Sequence, residues 1–305
     1  MIEAPEALYI SEQMNQTIKG KKITFVSAGY TPHKFTWYYG DPAGYPEKLL
    51  NKTIGEAHAY GGLIEIDIED VRLLFGDGMN IRYYAPGEKI PEKHQLLIAF
   101  EDESCIMGSV RMYGAVMCFP ENDFECNFSS YREGARTKPQ VLSEAFDKAY
   151  FFSLINSKEK QKKTAKAFLA TEQTIPGLGN GVLQDILFHA RIHPKTRINA
   201  LTEKQKETLF DCVKSTLQEI YRAGGRNTET DLFGNKGRYI PVLSKDTGGK
   251  PCPVCGEAIR KENYMGVLNV RNRFSRKAPC LHKPSRSCVR WYNVLSADPE
   301  GYQRA

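Results

Sequence analysis

Glu172-Gln-Thr-Ile-Pro-Gly-Leu-Gly-Asn-Gly-Val-Leu-Gln-Asp-Ile-Leu-Phe-His-Ala-Arg-Ile-His-Pro194 begins as a turn and ends as a helix. Its first half is a Pro-Gly-x-Gly-Asn turn. Its second half spaces Val182, Leu183, Ile186, Leu187 and Ala190 as one buried helical face. Gly177 and Gly179 let backbone approach a ligand with no Cβ in the way, Asn180 suits an N-cap, and the first helical turn offers free N–H groups to an anion. The stretch reads either as a phosphate-binding device or as a plain helix-turn-helix corner.

The residues just upstream favour the first reading. Between Ser157 and Lys166 the lysines at 158, 160, 162, 163 and 166 face one acid, Glu159. A turn that can hold phosphate next to a lysine cluster is the combination expected for nucleic-acid backbone contacts, although a lysine run alone is an ordinary solvated face. Net charge adds nothing to this. The chain carries +6, but from Arg271 onward there are eight Lys/Arg against two Asp/Glu, so the whole excess lies in the tail and residues 1–270 balance.

Working outward, residues 3 to 19 read as a helix, with Glu3, Pro5 and Glu6 in its first turn and Ala7, Leu8, Ile10, Met14 and Ile18 on its apolar face. Short β-rich runs follow at 23–26, 63–68, 96–100 and 115–119, separated by Gly, Asp, Asn and Pro turns. They read as a β-sandwich or barrel. Residues 143 to 223 read as mainly helical. The chain of 305 residues is long enough for about two domains. No apolar run nears the ~18 residues of a membrane span, and no signal peptide is evident, so a cytoplasmic protein is expected. Of eight cysteines, those at 252, 255, 280 and 288 are clustered enough for a metal, and the set does not resemble a disulfide framework.

The segment from Lys166 through Asn180 to Pro194 resembles the helix-two-turns-helix signature of the formamidopyrimidine-DNA glycosylase and endonuclease VIII family. Met1-Ile2-Glu3-Ala4-Pro5-Glu6-Ala7 resembles that family's N-terminal catalytic motif, and Gly249-Lys250-Pro251-Cys252-Pro253-Val254-Cys255-Gly256 resembles the start of its zinc finger. The resemblance implies an α+β fold in which an N-terminal helix and catalytic β-sandwich occupy residues 1–130, joined by a linker, 131–142, to a helix-two-turns-helix domain, 143–235. A zinc-finger-like hairpin region, 248–290, and a tail, 291–305, follow. It also implies a bifunctional DNA glycosylase/AP lyase that removes oxidised bases from damaged double-stranded DNA, working as a monomer, associated with the nucleoid if bacterial.

In that family the nucleophile is an N-terminal α-amine, usually of proline, and a carboxylate beside it opens the sugar ring. Glu3 matches the carboxylate. Ile2 stands where the proline is usual, so the amine belongs to Met1 or, after processing, to Ile2. Other implied DNA contacts are the intercalating set Met79, Arg111 and Tyr113, and the phosphate contacts Lys166, Gly177, Gly179 and Asn180. The family's β-hairpin lysine is absent, glycine standing at Tyr60-Gly61-Gly62, with Lys48 or Lys52 as possible substitutes. The loop that would cap the base, near Arg222 to Gly234, is short.

Cys252 and Cys255 form a C-x2-C turn, half of a structural zinc site. A second C-x2-C does not follow. One zinc ion would be closed by Cys280 and Cys288, with His282 as the alternative ligand, unless the chain from about residue 267 is a frame-shifted or foreign end. A damage-binding relative without catalysis, and more remotely an RNA-binding protein, are the rival readings.

Overall fold

The computed structural model describes residues 2–76, 78–110 and 112–264, with Asn263 and residues 267–271 as backbone only. Met1, Arg111, Cys280, His282 and Cys288 lie outside the described residues, as does the tail.

Helix α1 (Ala4–Thr17) turns Ala7, Ile10 and Met14 inward. The strands β1 (Ile23–Ala28), β2 (Thr36–Trp37), β3 (Ala57–Tyr60), β4 (Leu63–Ile68), β5 (Val71–Gly76), β6 (Met79–Tyr84), β7 (Leu96–Phe100), β8 (Cys105–Val110) and β9 (Gly114–Pro120) form two sheets. One runs β1-β7-β8-β6 and the other β2-β9-β5-β4-β3. Their facing residues, among them Ile64, Ile66, Leu73, Ile98 and Phe100, share one core with α1. A short helix α2 (Tyr45–Leu49) buries Tyr45 and Leu49 in the same core.

Strands β4 and β5 are buried on both faces because helix α3 (Ser129–Thr137) lies over the outer one. There Leu63, Leu74, Met117 and Phe119 meet Ala135, Phe128 and Tyr131. The stretch expected as linker thus contains a packed helix. What holds it is charge: Arg132 donates to both oxygens of buried Glu65 at 2.7 and 2.8 Å, and Arg136 adds a third contact at 2.6 Å.

The helical domain comprises α4 (Lys148–Ile155), a π-helical turn (Ala167–Thr171), α5 (Asn180–His189) and α6 (Glu203–Arg222). A Thr202/Gln205 capping box starts α6. The core gathers Phe151, Phe168, Val182, Ile186, Leu209, Val213 and Leu217. Asp185 of α5 is fully buried and accepts from the Tyr239 hydroxyl and the Val242 and Leu243 N–H groups at 2.8 to 2.9 Å. This anchors the chain that leads to the hairpin of β10 (Arg260–Tyr264) and β11 (Val267–Arg271).

The two domains exchange residues. Ala4 of α1 belongs to the helical core, and Leu232, beyond α6, is buried in the sandwich core. The Leu232 N–H donates to Gln13 at 3.0 Å and its carbonyl accepts from Tyr83 at 2.8 Å. The short segment from Arg222 to Gly234 is a strap pinned across both domains. Among the described residues no helix is long and apolar enough to cross a membrane.

Candidate active site

The start of α1 meets the start of α5. Glu3, the N-cap of α1, sends its carboxylate into the first turn of α5, where Oε1 accepts from the Gly181 N–H at 2.8 Å. Oε2 accepts from Val182 at 3.0 Å and Gly179 at 3.2 Å. The helix end expected to hold phosphate is therefore already filled by a carboxylate of the same chain. Its cap is Gly179, with Asn180 the first helical residue. The reason is steric as well as electrostatic: a Cβ on Gly179 would stand 2.5 Å from Glu3 Oε1.

Glu3 and its neighbour Glu6 are both 3% exposed. Arg226, at the root of the strap, sits between them, with Nη1 3.3 Å from Glu3 Oε1 and Nε 2.8 Å from Glu6 Oε1. Burial raises the Glu3 carboxyl above its ordinary 4.5; Arg226 opposes the rise, Glu6 adds to it, and the Gly181 and Val182 N–H groups oppose it. Burial disfavours the charge on Arg226, but Glu3 and Glu6 outweigh this and hold it protonated.

Ile2, Glu3, Gly62, Leu63, Phe128 and Gln173, with the 177–179 turn, line a cavity of about 230 Å³. The β3–β4 turn closes one wall. Gly61 has φ +60 and Gly177 φ +81, and the Gly61 N–H donates to Gln140 Oε1 at 2.7 Å. The Ala4 N–H donates to the Gly177 carbonyl at 2.9 Å, so the chain start is stitched to the turn. Ile2 and Glu3 are thus brought together with Gly177 and Gly179, while Met1 is outside the described residues.

A family model for the formamidopyrimidine-DNA glycosylase H2TH domain matches residues 138–231. The formamidopyrimidine-DNA glycosylase of Lactococcus lactis subsp. lactis (strain IL1403) is 28% identical over 273 residues, 87% of this chain and 96% of the relative. That of Histophilus somni (strain 2336) is 34% identical over 155 residues, 48% of this chain and 53% of the relative. Among solved structures, the Lactococcus lactis Fpg in complex with DNA containing an abasic site has a TM-score of 0.75 at 26% identity, covering 90% of this chain and 100% of that one. The wild-type Fpg of the same organism with DNA containing an oxidized pyrimidine gives 0.74 at 25%, with the same coverage. Over most of its length the chain is similar to formamidopyrimidine-DNA glycosylases, and residues 138–231 match their H2TH domain.

The other residues that family resemblance singles out are scattered. Lys166 is 1% exposed; its ammonium donates to the Tyr264 carbonyl at 2.6 Å, and burial lowers its pKa. Lys160 and Lys163 pair with Glu172 at 3.1 and 2.5 Å, leaving Lys158 and Lys162 as the exposed members of the cluster. Lys52 pairs with Asp70 and Lys48 lies over the Tyr45 ring, and neither lines the cavity.

Met79 is not on a loop. It opens β6 and is 2% exposed, since pairing with Val110 of β8 turns it into the sandwich core. Tyr113 lies on the β8–β9 loop, 6.0 Å from Trp37 in a tilted ring contact, and Arg111 is outside the described residues. Sequence reading missed what surrounds Tyr113: Met112, Trp37 and Phe35 are 73%, 46% and 50% exposed. Strand β2, only two residues long, brings Trp37 there by pairing with β9. The aromatic density of residues 30–39 was the available signal.

Asn180 Oδ1 is buried and has no hydrogen-bond partner among the described residues. At the far end, Cys252 is buried and Cys255 half-buried in a tight turn, with the Val254 N–H 3.4 Å from Cys252 Sγ. Two thiols and an N–H aimed at sulfur fit half of a tetrahedral zinc site. Among the described residues no group of three or more His, Cys, Asp and Glu could hold a metal ion.

Proposed function

We propose that this chain is a base-excision repair DNA glycosylase that releases an oxidised base from duplex DNA and then cleaves the strand through AP lyase chemistry. The observation that carries this is Glu3: a buried carboxylate, locked on the α5 N-terminus, in the wall of the same cavity as Ile2. The α-amine of Met1 or Ile2, unprotonated, forms a bond to C1′ of the damaged nucleotide as the glycosidic C–N bond breaks and the base leaves with its electron pair. Glu3 gives a proton to the ring oxygen, opening the sugar to a Schiff base from which β-elimination expels the 3′ phosphate. Its raised pKa supports that role, because the carboxyl then keeps a proton to give nearer neutral pH.

Flipping out a base leaves a gap for side chains. Tyr113 with Arg111 fills it from the β8–β9 loop; Met79 would have to leave the sandwich core to join them. Asn180, the first residue of α5, supplies a phosphate contact by donating from its side-chain amide Nδ2. Zinc, if bound, takes Cys252 and Cys255 with donors from Cys280, Cys288 or His282 and serves the hairpin's structure, with no part in the chemistry. Damaged duplex DNA is the partner, and the cytoplasm its place, at the nucleoid if the protein is bacterial.

The test is borohydride trapping on duplex DNA with an abasic site, with mass spectrometry of the N-terminus in the same sample. An adduct on the Met1 or Ile2 amine is expected. Lesion-selective binding without any adduct would replace the enzyme by a damage-binding relative, and preference for structured RNA would replace both.

A further inference from the structure

Arg226 serves Glu3 and Glu6 unequally. Its backbone N–H and Nε donate to Glu6 Oε1 at 3.1 and 2.8 Å and its Nη2 donates to Glu6 Oε2 at 3.1 Å, while Nη1 reaches Glu3 Oε1 at the longer distance of 3.3 Å. The guanidinium is therefore seated on Glu6 and leans on Glu3. Room for it is made by a missing side chain: a Cβ on Gly181 would stand 1.4 Å from Arg226 Nη1. Gly181 is also the residue whose N–H donates to the same Glu3 oxygen. Arg226 is 3% exposed, so this pairing is made in the interior, where a charge left alone is costly.

The groups facing Glu3 can be named element by element. From α1 comes Glu6, and from the strap Arg226, itself acted on by Glu229. Helix α5 contributes the N–H groups of Gly179, Gly181 and Val182. Tyr131 of α3 lines the shared cavity, and the β3–β4 turn presents Gly62. Arg226 and Glu6 therefore act on the Glu3 carboxyl in opposite directions, the guanidinium favouring its charge and the neighbouring carboxylate opposing it.

We infer that Arg226, held by Glu6, is a positioning residue that fixes both where the Glu3 carboxylate points and how tightly it holds its proton. The inference rests on the reading of Glu3 as the reacting carboxyl, and it assigns Glu6 a duty beyond capping a helix: it takes up most of the guanidinium's charge, leaving Glu3 able to gain and lose a proton.

The test follows the Glu3 carboxyl itself in the full chain by 13C NMR, with glutamate side chains labelled and the resonance assigned by its loss in Glu3→Gln. Arg226→Gln removes the positive charge and moves the Glu3 midpoint up by about one pH unit. Glu6→Gln removes the negative charge beside Glu3 and loosens the guanidinium's hold on position 6, and moves the midpoint down by about one unit. Arg226→Lys keeps the midpoint within about half a unit of wild type. Thermal unfolding checks each fold, and if Arg226→Gln does not fold, Glu6→Gln and Arg226→Lys still carry the comparison. The pH profile of borohydride trapping should show the same opposed displacements. Midpoints that stay in place, or move in one direction for both Gln variants, overturn the inference. Opposed midpoints with no trapping in wild type would leave the electrostatic role standing and remove its link to catalysis.

Discussion

Gly61 and Gly177 meet backbone to backbone: a Cβ on Gly177 would stand 2.4 Å from the Gly61 carbonyl carbon. Both hold positive φ, so each position resists any other residue twice, by strain and by overlap. Gly177→Ala and Gly61→Lys are each expected to lower stability by about 1–3 kcal/mol, read as a fall in thermal midpoint. Gly61→Lys is also expected to give no gain in duplex affinity, because a side chain there pries the wall of the cavity open. Tighter DNA binding by that variant would show that the turn can carry the family's lysine after all.

Asn180 separates the two duties a residue can have at a helix start. If it were the N-cap, its replacement by alanine would cost about 1 kcal/mol. Gly179 is the cap and Glu3 fills the helix end, so Asn180→Ala is expected to leave stability within about 0.5 kcal/mol and weaken abasic-duplex binding by about tenfold, the worth of one hydrogen bond donated by its Nδ2. Urea unfolding and fluorescence anisotropy read the two effects separately. A loss of stability with unchanged affinity is the outcome that contradicts it.

Glu65 accepts from Arg132 and Arg136 under the outer sheet with its side chain only 2% exposed. Glu65→Gln leaves Arg132 buried with its charge unmatched, and about 3–5 kcal/mol of destabilisation is expected by denaturant unfolding. Replacing exposed Lys148 of the Lys148–Glu207 pair, by contrast, is expected to change little. Comparable losses from the two would mean that α3 is held by something other than these charges.

Asp102 accepts from Lys21 at 2.6 Å and from the Ser104 hydroxyl, and these bonds, Lys21 first, hold its carboxyl at about 2 instead of 3.8. The folded value is the lower one, so its contribution is whole above pH 3.8 and is lost as pH falls toward 2. Asp102→Asn is therefore expected to flatten the acid limb of stability inside that window. Urea midpoints taken across it should show the two proteins converging at its lower end; parallel curves would remove the role of this pair.

Much of this was legible in the chain because apolar periodicity reports burial directly. The runs at 63–68, 96–100 and 115–119 became β4, β7 and β9, and Val182 to Leu187 became the inner face of α5. Helix α3 escaped because its contact face is charged: only Arg132 and Ala135 are buried, and Gly134 reads as a break. Met79 misled because a turn motif beside it drew attention away from the register of β6, which alone decides which way that side chain points. The Glu3 carboxylate could be picked out from its motif, but its occupation of the α5 terminus could not, since residues so far apart in sequence meet only through the fold. Arg226 carried no motif at all.

Leu232 makes the two lobes of this protein mechanically inseparable. A cut in the segment around residue 140 would release an N-terminal piece whose core has a hole where that leucine belongs, and a C-terminal piece whose helix end has lost Glu3. Heat or urea should therefore meet a single cooperative unit, and a split version should regain structure only when both fragments are mixed.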